Sequence, residues 1–190
     1  MSLNKASGHD TKHVKIARNY CFGCGQDNPE GMRLKFRLDE EAQRFVSRFR
    51  LNRRYVGPPG HAHGGIIATI LDEAMGKVNK LRHVVAVTAE MTVQYIKPVP
   101  LGKTLIAEGW EKRVRGRVHT NVAEIRNEEG LVLARSTGRF IAIDPQKMFG
   151  KHLRNGQGGQ WSKKRLSAAT TRSNPQTKST VTSPKKRSSS

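Results

Sequence analysis

From Met32 to Leu51 apolar and charged side chains alternate. Met32, Leu34, Phe36 and Leu38 are interleaved with Arg33, Lys35 and Arg37, the two-residue period of a half-buried strand. After a turn at Asp39 to Glu41, Phe45, Ser47, Phe49 and Leu51 fall on one side and Arg44, Val46, Arg48 and Arg50 on the other, which predicts a hairpin. The loop RRYVGPPGHAH breaks this pattern, and the period then changes. Over GGIIATILDEAMGKVNK, Ile66, Ile67, Ile70, Leu71, Ala74, Met75 and Val78 fall within an arc of about 180° at about 100° per residue, so one amphipathic helix is predicted from Gly64 to about Lys80. Four further strand-like runs follow, over 84–97, 103–114, 117–127 and 130–143, separated by Gly- and Pro-containing turns. The predicted order is ββαββββ, with no internal repeat.

The two ends differ from this middle. Residues 1–19 are polar without a sustained period and read as a flexible arm; residues 20–146 read as the folded domain. Residues 147–190 read as a disordered basic tail, because positions 151–190 hold 13 Ser or Thr, ten Lys or Arg, no acid and only six apolar residues. So little apolar surface cannot offset the entropy of ordering the chain. The formal charge of +20 is half tail, and the remaining +10 over residues 1–150 favours anionic partners without choosing among them.

Two cysteines cannot make a multi-bridge scaffold, no run approaches the roughly 20 apolar residues of a membrane span, and the polar start lacks a signal-peptide core. A cytoplasmic protein with no membrane span is therefore expected. Cys21 and Cys24 form a C-x-x-C pair without a second pair, so a zinc site would need His9 or His13, or a second chain, to complete it. The expectation is a turn with free thiols and no metal. His61 and His63 form H-x-H with no matching acid or thiol, and Trp110 and Tyr95 read as core or interface residues.

The helix carries one odd face. Opposite its apolar arc lie Gly65, Ala68, Thr69, Asp72, Gly76 and Asn79, although each glycine inside a helix costs about 1 kcal/mol relative to alanine. Small residues there point to close approach by a partner helix or a ligand, with Asp72 either a solvated carboxylate or part of a site. The turn His63-Gly64-Gly65 leaves backbone N–H groups unpaired at the positive end of the helix dipole, a setting for an oxyanion. Gly65 and Asp72 are nevertheless roughly 10 Å apart along the axis, too far to act on one carbonyl, so joint action requires two chains with helices near a two-fold axis.

The strings PPGHAHGGIIATILDEAMG, VTAEMTVQYIKPVPLGK and CFGCGQDNPEGMRLKF resemble the hotdog-fold acyl-CoA thioesterases, in particular the branch related to phenylacetic-acid-pathway and human mitochondrial thioesterase proteins. The likeness spans about residues 20–144. It is most specific in H-G-G, a six-residue spacer and Asp, joined to T-A-x-M-x-V-x-Y and the P-x-P turn. The resemblance implies an α+β hotdog fold, an antiparallel sheet wrapped around a long central helix. It implies that Asp72 acts as general base or nucleophile and that Thr88 reaches the site from the opposite subunit. Gly65 would be the oxyanion donor, with Gly64 its substitute, and His63 would contact the thioester region. Glu73 is the second-choice carboxylate. Coenzyme contacts are implied at Gln94, on the side of the strand shared with Thr88, Glu90 and Thr92, and in the hairpin Lys112, Arg113, Arg115, Gly116 and Arg117, whose charge suits phosphates. No cofactor is implied, CoA being part of an acyl-CoA substrate, and a homodimer or dimer of dimers is expected.

The competing reading is an acyl-CoA-binding hotdog module without turnover, whose basic tail makes nonspecific contacts with nucleic acid through elements such as SPKKRS at 183–188. A hotdog hydratase would need a different Asp/His pair, which the helix region lacks.

Overall fold

The computed structural model describes residues 18–154. Most of the expected arm, the SPKKRS element and the greater part of the basic tail, with its expected nucleic-acid contact, lie outside the described residues. Six antiparallel strands form one sheet in the order β1-β2-β4-β5-β6-β3. They are β1 (Arg37–Asp39), β2 (Arg44–Arg50), β3 (Val85–Tyr95), β4 (Thr104–Arg115), β5 (Val118–Asn127) and β6 (Val132–Ile143), with helix α1 (Gly64–Val78) between β2 and β3 and helix α2 (Pro145–Arg154) last. The expected ββαββββ order holds, and α1 packs on one sheet face against β2, β3, β4, β5 and β6.

Two elements differ from expectation. The first strand is confined to Arg37–Asp39, although Leu34 is buried and Met32 and Phe36 pack on the core as their alternation requires. The backbone of this stretch is paired elsewhere: Met32 N–H donates to Phe22 O (2.8 Å) and Leu34 N–H to Gly23 O (2.9 Å). Alternation reported which side is buried; it could not report which segment supplies the ladder. At the other end, α2 runs past the predicted domain boundary at 146. Asp144 Oδ1 accepts from Gln146 N–H (2.9 Å), and Pro145 takes the first helical position, where its missing N–H costs nothing. Regular structure therefore continues to Arg154.

The buried side of α1 is the predicted arc: Ile70, Leu71, Ala74 and Met75 are fully enclosed against Leu105, Ala107, Ala123, Ile125, Ala134 and Phe140 of the sheet, and Val78 is fully buried as well. Each such aliphatic side chain contributes about 1.5–3 kcal/mol by leaving water. The closest approach is at Gly109 of β4, where a Cβ would lie 2.4 Å from Ala74 O, so helix backbone rests directly on strand backbone. Asn121 of β5, also fully buried, donates through Nδ2 to Met75 O and to Asn79 Oδ1, both at 3.0 Å. The first of these bonds satisfies a carbonyl that the helix end leaves open. Asn79 is thus almost fully buried and bonded to the core, while it also lines a cleft beside Gly76 on the face expected from sequence.

Gly109→Ala should lower stability by about 1–3 kcal/mol or more in urea denaturation, because its methyl meets backbone that no side-chain rotation can clear. An unchanged midpoint would mean that the helix does not rest on this strand.

Candidate active site

At the start of α1, His63 is the N-cap, with extended backbone (φ −66°, ψ 140°). Its Nδ1 accepts from Gly65 N–H (3.0 Å), while Ile66 and Ile67 N–H both point to His63 O (3.0 and 3.2 Å). Of the first four helical N–H groups, only Gly64 N–H lacks an acceptor among the described residues. Gly65 is therefore already engaged, and the open donor is Gly64, whose peptide is also held by Tyr95 Oη donating to Gly64 O (3.2 Å). His63 serves the helix as a cap, a role the resemblance did not supply.

Two turns later Asp72 stands partly buried, its Oδ1 accepting from Thr88 Oγ1 at 2.7 Å. Burial, the larger cause, raises its proton affinity above that of an ordinary aspartate; the Thr88 bond opposes this and the neighbouring Glu73 charge adds to it. Thr88 belongs to the same chain as Asp72, which corrects the expectation that it comes from an opposite subunit. The pairing depends on a β-bulge. The β3–β6 register runs Thr88↔Phe140 and then Glu90↔Arg139, with Ala89 the extra residue. One inserted residue reverses the faces of everything beyond it. Ala86 and Thr88 face the helix, as do Met91 and Val93 after the bulge, whereas Glu90 turns outward to Arg139 (3.3 Å). Glu90, Thr92 and Gln94 therefore do not share a side with Thr88, contrary to the simple alternation.

A cleft of about 360 Å³ opens over this pair, lined in part by Asp72, Gly76, Val85, Val87, Thr88 and Phe140. Glu73 lies on its rim but is committed elsewhere: Cys21 Sγ lies 3.0 Å from its Oε1, and Lys77 Nζ lies 3.4 Å from its Oε2 and 2.8 Å from Cys24 Sγ. The two thiols are free. The hydrogen bond from Cys24 draws the Cys21 thiol down to about 7, and the same contact together with burial pushes the Cys24 thiol up.

The structure separates the expected coenzyme contacts. The β4–β5 hairpin turns at Gly116 (φ +54°), and Arg117 Nε donates to Ala142 O (3.1 Å). Val118 pairs with Ile141, one position from the Phe140 that faces Thr88, so Lys112, Arg113, Arg115, Gly116 and Arg117 gather at the Thr88 end of the sheet. Lys112, Arg113 and Arg115 are exposed and form no ion pair with the described residues. Gln94 pairs with Arg135, roughly 20 Å along β3 from Thr88, next to the Tyr95 that touches the helix start. Of the aromatics set aside from sequence, Trp110 lies under the Arg44 guanidinium (4.6 Å). His61 Nδ1 sits 2.9 Å from Pro59 O, and among the described residues neither it nor His63 joins a metal-binding cluster.

Residues 59–134 match the family profile described as thioesterase superfamily. Acyl-coenzyme A thioesterase THEM4 of Mus musculus is 31% identical over 123 residues, covering 62% of this chain and 52% of that protein. A thioesterase superfamily protein of known crystal structure matches with TM-score 0.59 and 30% identity over 62% of this chain and 60% of its own. The fold is the hotdog fold, and residues 59–134 are similar to the thioesterase superfamily. The PaaI protein of the E. coli phenylacetic acid degradation operon shares the fold, with TM-score 0.51 and 20% identity over 54% of this chain and 74% of its own. This chain spans about half the length of the curated thioesterases it matches. Among the described residues, no helix is long and apolar enough to cross a membrane.

If His63 acts chiefly as the cap, His63→Ala should cost about 1 kcal/mol in urea denaturation and His63→Asn should recover most of it, asparagine being a strong N-cap. Equal losses in both variants would assign the ring a packing role instead.

Proposed function

We propose that the chain hydrolyses acyl-CoA thioesters to free acid and CoA, at sites formed where α1 of one copy meets α1 of another. The observation that carries this reading is the placement of two complementary groups on one helix: an open Gly64 N–H at its start and the Asp72–Thr88 pair two turns on. They are about 12 Å apart along the axis, whereas both must come within about 3 Å of the reacting atoms. Two antiparallel copies of α1 bring the donor of one to the carboxylate of the other, twice, by symmetry. β3 supports such a pairing, because this 11-residue strand lies at the sheet edge, and among the described residues no further strand pairs with its outer side.

In this scheme Thr88 holds Asp72 Oδ1 and leaves Oδ2 to orient water as general base. Gly64 N–H stabilises the oxyanion, and CoA leaves as thiolate, which needs little acid assistance. No cofactor takes part. The hairpin cations at the Thr88 end of the sheet supply attraction for the nucleotide phosphates, and the cleft volume suits a small or medium acyl group. The acyl-CoA thioesterase relatives support the substrate class, and two free thiols fit a reducing compartment such as the cytoplasm.

Asp72→Asn should lower kcat for acyl-CoA hydrolysis by roughly 100-fold or more with little change in melting temperature. Gly64→Pro removes the one open N–H at a position where proline is favoured, behind a His63 already in the extended conformation proline requires. It should keep the fold and lose activity, while Gly64→Ala keeps both. Mixing the two inactive variants, with subunit exchange verified, should restore activity through one intact hybrid site. No recovery would count against a shared site, and wild-type protein that binds acyl-CoA tightly without thiol release would make it a binding module.

Neutralising Arg113, Arg115 and Arg117 together should raise KM for CoA esters more than for short pantetheine thioesters, which lack the nucleotide phosphates. Equal effects would place the coenzyme elsewhere.

A further inference from the structure

We propose that Cys21, Cys24 and Glu73 form a site for a thiophilic divalent cation such as Zn²⁺, bridging the N-terminal Cys turn to helix α1 beside the cleft. Glu73 is about fifty residues in sequence from the two cysteines, yet one ligand atom of each of the three lies within 4.8 Å of the others. A tetrahedral zinc centre, with bonds of about 2.3 Å to sulfur and 2.0 Å to oxygen, needs ligand atoms about 3.5–4 Å apart. The set is therefore nearly assembled, with Cys21 Sγ already 3.0 Å from Glu73 Oε1.

The turn is built to admit this carboxylate. A Cβ on Gly23, between the two cysteines, would lie 2.4 Å from Glu73 Cγ and 2.7 Å from its Cδ. The C-F-G-C spacing thus keeps a gap that Glu73 fills. Charge points the same way. Two thiolates, one carboxylate and a divalent cation sum to one negative charge, and Lys77 Nζ, 2.8 Å from Cys24 Sγ and 3.4 Å from Glu73 Oε2, neutralises it. Glu73 and Lys77 side chains are only 17% and 18% exposed, so a balanced set matters there. Binding displaces the two thiol protons to solvent and leaves both cysteines as thiolate ligands. Asp72 is not part of the set, being held by Thr88. All three ligands line the cleft, so the fourth position of a tetrahedral centre falls to water from it. The C-x-x-C pair thus needs neither His9 nor His13; its third ligand comes from the helix. The cation ties residues 21–24 to α1 and shapes the cleft wall without entering the hydrolysis.

The full chain, reduced and freed of metal, would be titrated with Co²⁺ and Zn²⁺. One equivalent of Co²⁺ per chain should produce a near-ultraviolet thiolate-to-cobalt band, and Zn²⁺ should displace it and protect both thiols from a disulfide reagent. With only two cysteines in the chain, the band reports this pair alone. Cys21→Ser and Cys24→Ser should abolish the band, and Glu73→Gln, with both thiols intact, should weaken binding by about 10-fold or more. Three results would overturn the proposal: a reduced wild type that gives no band and keeps two reactive thiols in excess Zn²⁺; half an equivalent per chain, unaffected by Glu73→Gln, which would mean four cysteines from two chains; or displacement of the cation by loss of Asp72 rather than Glu73. The wild-type arms do not depend on any variant folding.

Discussion

The separation between α1 and the sheet is set by a missing side chain. At Gly109 helix backbone lies against strand backbone, and no residue with a Cβ fits. Because the helix sits this low, Ile70, Leu71, Ala74 and Met75 fill the space over the sheet and Asn121 can reach Met75 O and Asn79. The same depth brings Asp72 within hydrogen-bonding distance of an edge strand. Thr88 would contribute nothing to the carboxylate if the helix rode higher, even with its bulge intact.

Much of this was legible from periodicity. The helix and the four long strands follow from runs in which a period of 3.6 or 2 persists for ten or more residues, and Asp72 stood out as a carboxylate on a face of small residues. What escaped reading is non-local or a single residue in extent. Ala89 carries no mark that distinguishes it from an ordinary strand position, yet it decides that Thr88 turns inward and Gln94 outward. The engagement of Gly65 by His63 could have been suspected, since a ring nitrogen two residues before a helical N–H is in capping range. The contact of Glu73 with Cys21 spans fifty-two residues and has no periodic signature; only the glycine between the cysteines hinted that something must fit there. At the C-terminal boundary, Asp144-Pro145 is a legible helix start, outweighed by the composition of the tail that follows.

Helix α1 also acts as a ruler. Its first peptide and its carboxylate are joined by rigid, hydrogen-bonded backbone, so their spacing changes in steps of one residue's rise and cannot drift. In a symmetric pair each helix would serve two centres at once, giving a donor to one and a carboxylate to the other. A tilt of either helix that tightened one centre would loosen the second. The two reaction centres would then be mechanically coupled through the core that seats the helices, with no ligand-induced loop or hinge needed to carry the effect.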